Sequence, residues 1–135
     1  MMKIVLTNDT VFSFGGPNLC LLGQPDDFKA LSIEVAYLTT PVLSYVKLVD
    51  LSFVQFEGDI KKPILFSNPE SSNKLCVFND DFLICELDPR YWERIFKYFV
   101  FMSWDQKTYY LNSDENCLDD FDLIQDCNFK CSSEF

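Results

Sequence analysis

Apolar residues in this chain come in short runs closed by turn-forming residues, and that punctuation limits the fold more than any other feature. Ile4 to Leu6, Leu19 to Leu22 and Ile64 to Phe66 are three such runs; Val11, Phe12 and Phe14 form another, and Thr108 to Leu111 a last one. Each is too short for a helix with a buried stripe and suits a strand. Gly15-Gly16-Pro17-Asn18 predicts a hairpin turn between the runs on either side of it. The clearest hairpin is Leu75–Phe78 with Phe82–Leu87, joined by Asn79-Asp80-Asp81. Tyr45 to Glu57 is longer and its alternation changes phase. Val46 and Leu48 share one face, Val49, Leu51 and Phe53 the other, and Val54 and Phe56 return to the first. That pattern predicts a long strand or a pair, either bulged near Asp50 or buried on both faces.

Helical spacing appears in three places. Phe28, Leu31, Val35 and Leu38 recur at helical intervals over Asp26 to Leu38, with two aspartates at the positive N-terminal end and Thr39-Thr40-Pro41 as the stop. The strongest helix signal begins at Asp88-Pro89, where the aspartate can cap and the proline fits the first turn. Trp92, Ile95, Phe96 and Phe99 form its buried stripe, and it runs to about Met102. Ser113 can cap a short acidic helix with Leu118, Phe121 and Ile124 inside. Strands and helices do not alternate regularly, which predicts an α+β fold: a mainly antiparallel β-sheet with two or three packed helices. The 135 residues suit one domain, 1–135, with an acidic C-terminal end, about 127–135, expected to fray.

The chain has no histidine. This removes Ser-His-Asp and Cys-His catalysis and zinc sites built on HExxH, and leaves carboxylates, lysine, tyrosine or cysteine as the available acids, bases and nucleophiles. No phosphate-binding loop of the GxxxxGK[ST] type, no GxGxxG and no GxSxG is present. Cys127 and Cys131, with Cys117 nearby, could join Cys20, Cys76 or Cys85 around zinc, but their spacing is not a CxxC pair. The simpler reading makes Cys20, Cys76 and Cys85 small core residues. The acids from Asp114 to Asp122 fail the calcium-loop pattern, because Leu118 takes a ligand position and Asp119 the glycine position. Asp50 followed by Asp59-Ile60-Lys61 resembles the carboxylate and lysine set of metal-dependent nucleases if the two fall on neighbouring strands, yet it reads as readily as a charged turn. The expectation is a protein without catalytic residues, cofactor or metal.

Net charge is −10, from 21 acids against 11 basic residues. It opposes direct contact with nucleic acid or anionic membranes and favours a basic protein partner. The apolar stretch at the N-terminus is too short for a signal peptide, and no run approaches the roughly 20 apolar residues that cross a bilayer. The expected setting is cytoplasmic, with reduced thiols. The acids cluster. From Asn112 to Phe135 there are seven, offset by Lys130 alone, and Asp80 and Asp81 sit in the central hairpin turn. The candidate partner-binding residues are therefore Asp80, Asp81, Asp114, Glu115, Asp119, Asp120, Asp122 and Asp126. Arg90, Arg94 and Lys97 share one face of the main helix, either paired with the protein's own acids or free to meet a carboxylate.

In overall character, with Asp88-Pro89-Arg90-Tyr91-Trp92-Glu93-Arg94 and the acidic Asp114–Asp126 stretch, the chain resembles the immunity proteins of bacterial polymorphic-toxin and contact-dependent growth-inhibition systems. The resemblance implies stoichiometric neutralisation of one cognate toxin, for instance a nuclease, with no cofactor and no shared motif. The alternatives are an acidic nucleic-acid mimic that inhibits a DNA- or RNA-binding protein, a small carboxylate- or cysteine-dependent enzyme, or an assembly subunit. The sequence leaves the oligomeric state open.

Overall fold

The computed structural model describes residues 1–7, 17–70, 73–112, 117–118 and 123–135. Ten strands and two α-helices occur among them, in the order β1 (Met2–Thr7), β2 (Asn18–Leu22), α1 (Pro25–Ala36), β3 (Ser44–Lys47), β4 (Val54–Phe56), β5 (Lys62–Ser67), β6 (Lys74–Phe78), β7 (Phe82–Leu87), α2 (Pro89–Met102), β8 (Thr108–Tyr110), β9 (Ile124–Gln125) and β10 (Asn128–Ser132). They build two five-stranded sheets, ordered β4-β1-β2-β10-β8 and β3-β5-β7-β6-β9.

Both sheets are mixed, which corrects the expectation of mainly antiparallel pairing. β1 with β4, β2 with β10, β5 with β7 and β6 with β9 run parallel. The antiparallel pairs are β1 with β2, β8 with β10, β3 with β5 and β6 with β7. A parallel neighbour needs a crossover connection rather than a local turn, so nothing in the adjacent sequence announces it. The phase change across Tyr45–Glu57 is not a bulge. The chain leaves the second sheet at β3, makes a 3₁₀ turn at Leu48–Asp50, and enters the first sheet as β4.

Within the C-terminal segment expected to fray, residues Asn128–Ser132 form strand β10. β10 lies between β2 and β8, with Asn128, Phe129, Cys131 and Ser132 buried. Asn128 fixes this position: its amide nitrogen donates to Asn18 Oδ1 (3.0 Å) and its side-chain oxygen accepts from Asn112 Nδ2 (2.9 Å). Such a chain satisfies polar groups that burial would otherwise penalise. The expected helix after Ser113 lies largely outside the described residues; its last position, Ile124, starts strand β9 and is half exposed, while Leu118 is buried. The expected strand at Val11–Phe14 and its turn at Gly15–Gly16 also lie outside them, and β2 forms its antiparallel pair with β1.

Both described helices form as their local chemistry dictates. Asp88 Oδ1 accepts the Arg90 backbone N–H at 2.7 Å and caps α2, with Pro89 in the first turn. Trp92, Ile95, Phe99 and Met102 turn inward, and Trp92 Nε1 donates to the Phe66 carbonyl of β5 at 2.7 Å. In α1, Asp27 Oδ2 accepts the Gln24 N–H at 2.9 Å. A Cβ on Gly23 would lie 2.8 Å from that carboxylate oxygen, so a larger residue there would push the Asp27 side chain aside. Phe28 of α1 meets Phe99 of α2 with ring centroids 5.5 Å apart. Buried residues of both helices and both sheets, among them Ile4, Leu21, Phe28, Leu65, Leu83, Trp92 and Phe129, form one core cluster. No helix of the described residues is long and apolar enough to cross a membrane.

Candidate functional site

β7 alternates cleanly. Leu83, Cys85 and Leu87 are buried in the core, while Phe82, Ile84 and Glu86 are only partly covered and point the other way. Register carries that outer face across the sheet. Ile64 and Phe66 of β5 stand beside Ile84 and Glu86, and Tyr45 of β3 stands beside Phe66 with ring centroids 5.8 Å apart. On the opposite flank Lys74 and Val77 of β6 pair with Glu86 and Ile84. Lys74 and Val77 are three residues apart and share a face because β6 is bulged between them. Cys76 sits in the bulge with φ 55°, so Leu75 and Cys76 both reach the core. A left-handed conformation in a residue with a Cβ costs on the order of 1–3 kcal/mol.

Ile64 is buried, and none of its neighbours Phe66, Val77, Phe82 or Ile84 belongs to the core cluster or packs on it. They form a second apolar surface, with a hollow of about 280 Å³ lined by Phe66, Val77, Phe78 and Ile84 together with Lys74 and Glu86. No described helix covers it, since the buried stripes of α1 and α2 lie in the core on the other side of the sheet.

Acids gather at one end of this face. Asp80 and Asp81 occupy the β6–β7 turn, closed by the Asn79 N–H to the Phe82 carbonyl at 2.9 Å. Asp126, in the link from β9 to β10, places Oδ2 2.8 Å from the Phe78 N–H, and its own N–H donates to the Cys76 carbonyl at 3.1 Å. Three of the eight candidate acids thus lie at this end of the sheet, all exposed, and no ion pair among the described residues uses them. Lys61 stands beside them, its Nζ 2.6 Å from the Asn79 carbonyl and 5.7 Å from the centre of the Phe78 ring. Asp114, Glu115, Asp119, Asp120 and Asp122 lie outside the described residues. Between them Cys117 and Leu118 are buried, and Arg94 Nη1 donates to the Cys117 carbonyl at 3.2 Å.

The basic stripe of α2 is committed within the chain. Arg90 Nη2 meets Asp88 Oδ2 at 2.7 Å, Lys97 meets Glu93 at 3.7 Å, and Arg94 lies 5.2 Å from the centre of the Tyr91 ring. The hydrogen bond from the Arg90 guanidinium holds the Asp88 carboxyl below the usual aspartate range.

All six cysteines are free and buried. Cys76 and Cys85 Sγ atoms are 3.9 Å apart, and Cys127 Sγ points to the Cys76 carbonyl at 3.4 Å. Burial pushes the Cys76 thiol well up, reinforced by hydrogen bonding with Cys127 and Cys85; burial does the same to Cys131. Such thiols are poor nucleophiles and poor metal ligands. Among the described residues no group of three or more Cys, Asp or Glu is arranged to hold a metal ion. Asp50 and Asp59 do not fall on neighbouring strands; Asp50 ends a 3₁₀ turn and Asp59 sits in the bend after β4.

The open face was not among the residues picked out from the sequence. Its trace there is that β5 and β7 are apolar on both sides, which reads as burial on both sides. A second missed residue is Trp104, just beyond α2 and 85% exposed. With Phe101 and Tyr109 it borders a hollow of about 380 Å³. Compared with known protein families, curated proteins and solved structures, the chain has no match.

Proposed function

We propose that this protein is a non-catalytic binding protein that neutralises a cognate toxin by stoichiometric binding, and that the open face of the second sheet is where the toxin sits. Support comes from one adjacency: Asp126 is bonded to Phe78, a residue close in sequence to Asp80 and Asp81, at the margin of the apolar hollow, which no described helix covers. An apolar centre with a polar, charged rim is the anatomy of a protein interface. Tyr45, Phe66 and Ile84 supply the centre, and the three acids select a basic partner and speed its approach. A basic domain such as a nuclease, whose own surface binds phosphate, fits that rim. The −10 charge of the whole chain acts in the same direction.

The proposal is tested by changing centre and rim separately. Ile84→Asp introduces an unpaired charge into the centre, and Asp80→Lys with Asp81→Lys inverts the rim. Each is expected to weaken binding of the toxin and to abolish protection of toxin-expressing cells while the fold persists. Protection undiminished by either change would remove this face from the account.

A further inference from the structure

Between Val35 and Val46 there is no charged residue, in a chain of net charge −10. This stretch runs from the last turn of α1, through a 3₁₀ turn at Tyr37–Thr39, into β3. β3 ends the order of its sheet, so one side pairs with β5 and the other carries no strand among the described residues. Large apolar side chains crowd here. Tyr37, Val42, Leu43 and Tyr45 are exposed by 66%, 57%, 70% and 61%, and Ile33 is exposed one helical turn before Tyr37. The Ser44 hydroxyl reaches the Tyr37 carbonyl at 3.4 Å, which makes the patch continuous from helix to strand edge.

We infer that this patch joins two copies of the chain, β3 against β3 in antiparallel fashion about a twofold axis. Charge selects the occupant. A second copy carries the same −10 and is repelled wherever acids face acids, whereas this strip has no charge from Val35 to Val46 and only Lys47 of β3 at its end. A basic partner gains no attraction from a strip without acids. Homodimer interfaces are the apolar, charge-depleted kind. The unpaired edge is also self-complementary, because a twofold axis sets the N–H and C=O groups of one antiparallel strand against those of the other. A register centred on Tyr45 places the two tyrosines side by side and each Lys47 opposite Leu43 of the other copy, so lysine does not face lysine. Apart from Tyr45, the residues of the proposed toxin-binding face take no part in this arrangement, and the inference does not depend on the toxin-binding proposal.

Sedimentation equilibrium of the full chain, from low to high micromolar concentration and at low and high salt, tests it. The mass is expected to rise towards twice 15.8 kDa, at lower concentration when salt screens the net charge. Tyr45→Lys is expected to weaken association about tenfold or more, since the register sets the two lysines against each other across the axis, with unchanged circular dichroism and melting temperature. Tyr37→Lys, at an exposed position of the patch outside the sheet, serves as a second variant if the first fails to fold. A monomer at every concentration and salt, or a dimer undisturbed by the substitutions, would overturn the inference.

Discussion

Asp126 Oδ2 accepts the backbone N–H of Phe78 at 2.8 Å, across 48 residues of sequence. The bond fastens the link between β9 and β10 to the end of β6, and it brings a C-terminal acid to the hairpin turn that carries Asp80 and Asp81. Asp126→Ala leaves the Phe78 N–H to water and is expected to destabilise the fold by about 1 kcal/mol. In thermal denaturation that is a fall of roughly 2–4 °C. Asp126→Asn keeps an acceptor oxygen and should recover most of it. Asp80→Asn and Asp81→Asn should leave the melting temperature within about 1 °C, because surface changes away from such bonds are nearly neutral.

The two tryptophans should behave as opposites. Trp92 is buried and bonded to the Phe66 carbonyl, so Trp92→Ala is expected to cost about 3–5 kcal/mol in urea unfolding. Trp104 is 85% exposed, and Trp104→Ala should change stability by less than about 0.5 kcal/mol. Acrylamide should quench the native emission of the Trp92→Phe variant strongly and that of the Trp104→Phe variant weakly. Equal quenching would contradict the placement of one or the other.

The thiols give a pH dependence on the alkaline side. Burial raises Cys76 and Cys131 above the ordinary value of 9.0, so the unfolded chain loses these protons first. Their contribution is complete below that value and is lost as pH rises through it towards the folded pKa. Urea midpoints should fall above pH 9, and less so in Cys131→Ala once its own cavity cost is subtracted. In native buffer all six cysteines should resist a thiol reagent and react together on unfolding.

Asp88 sets the acid side. Its carboxyl is held below its ordinary value of 3.8 by the Arg90 guanidinium, so its contribution is present above that value and is lost as pH falls through the lowered pKa. Asp88→Ala also removes the cap of α2, an expected loss of about 1 kcal/mol at neutral pH. Asp88→Asn should retain the cap and flatten the acid limb of the stability profile.

Local signals were readable in the sequence and long-range ones were not. The hairpin at Lys74–Leu87 and the helix opened by Asp88-Pro89 follow from turn residues, a cap and an apolar stripe, and both stand where those signals put them. The parallel pairings, the crossing from β3 to β4 between sheets, and the central place of β10 depend on contacts between distant segments. The same limit applies to the candidate site. Asp80, Asp81 and Asp126 could be picked out as exposed acids, but their placement at one end of the sheet depends on β9 lying beside β6. The face that no described helix covers was invisible because alternation in β7 says which residues share a side, not which side a helix will cover.

The most direct test of the binding account is parallel affinity capture from source-cell lysate, with salt-graded elution and mass spectrometry, using the wild type, Ile84→Asp, and Asp80→Lys with Asp81→Lys. The account predicts one basic protein, held in stoichiometric amount by the wild type, released by salt, and lost from both variants. The same protein retained equally by all three would contradict a role for the open face and its acidic rim.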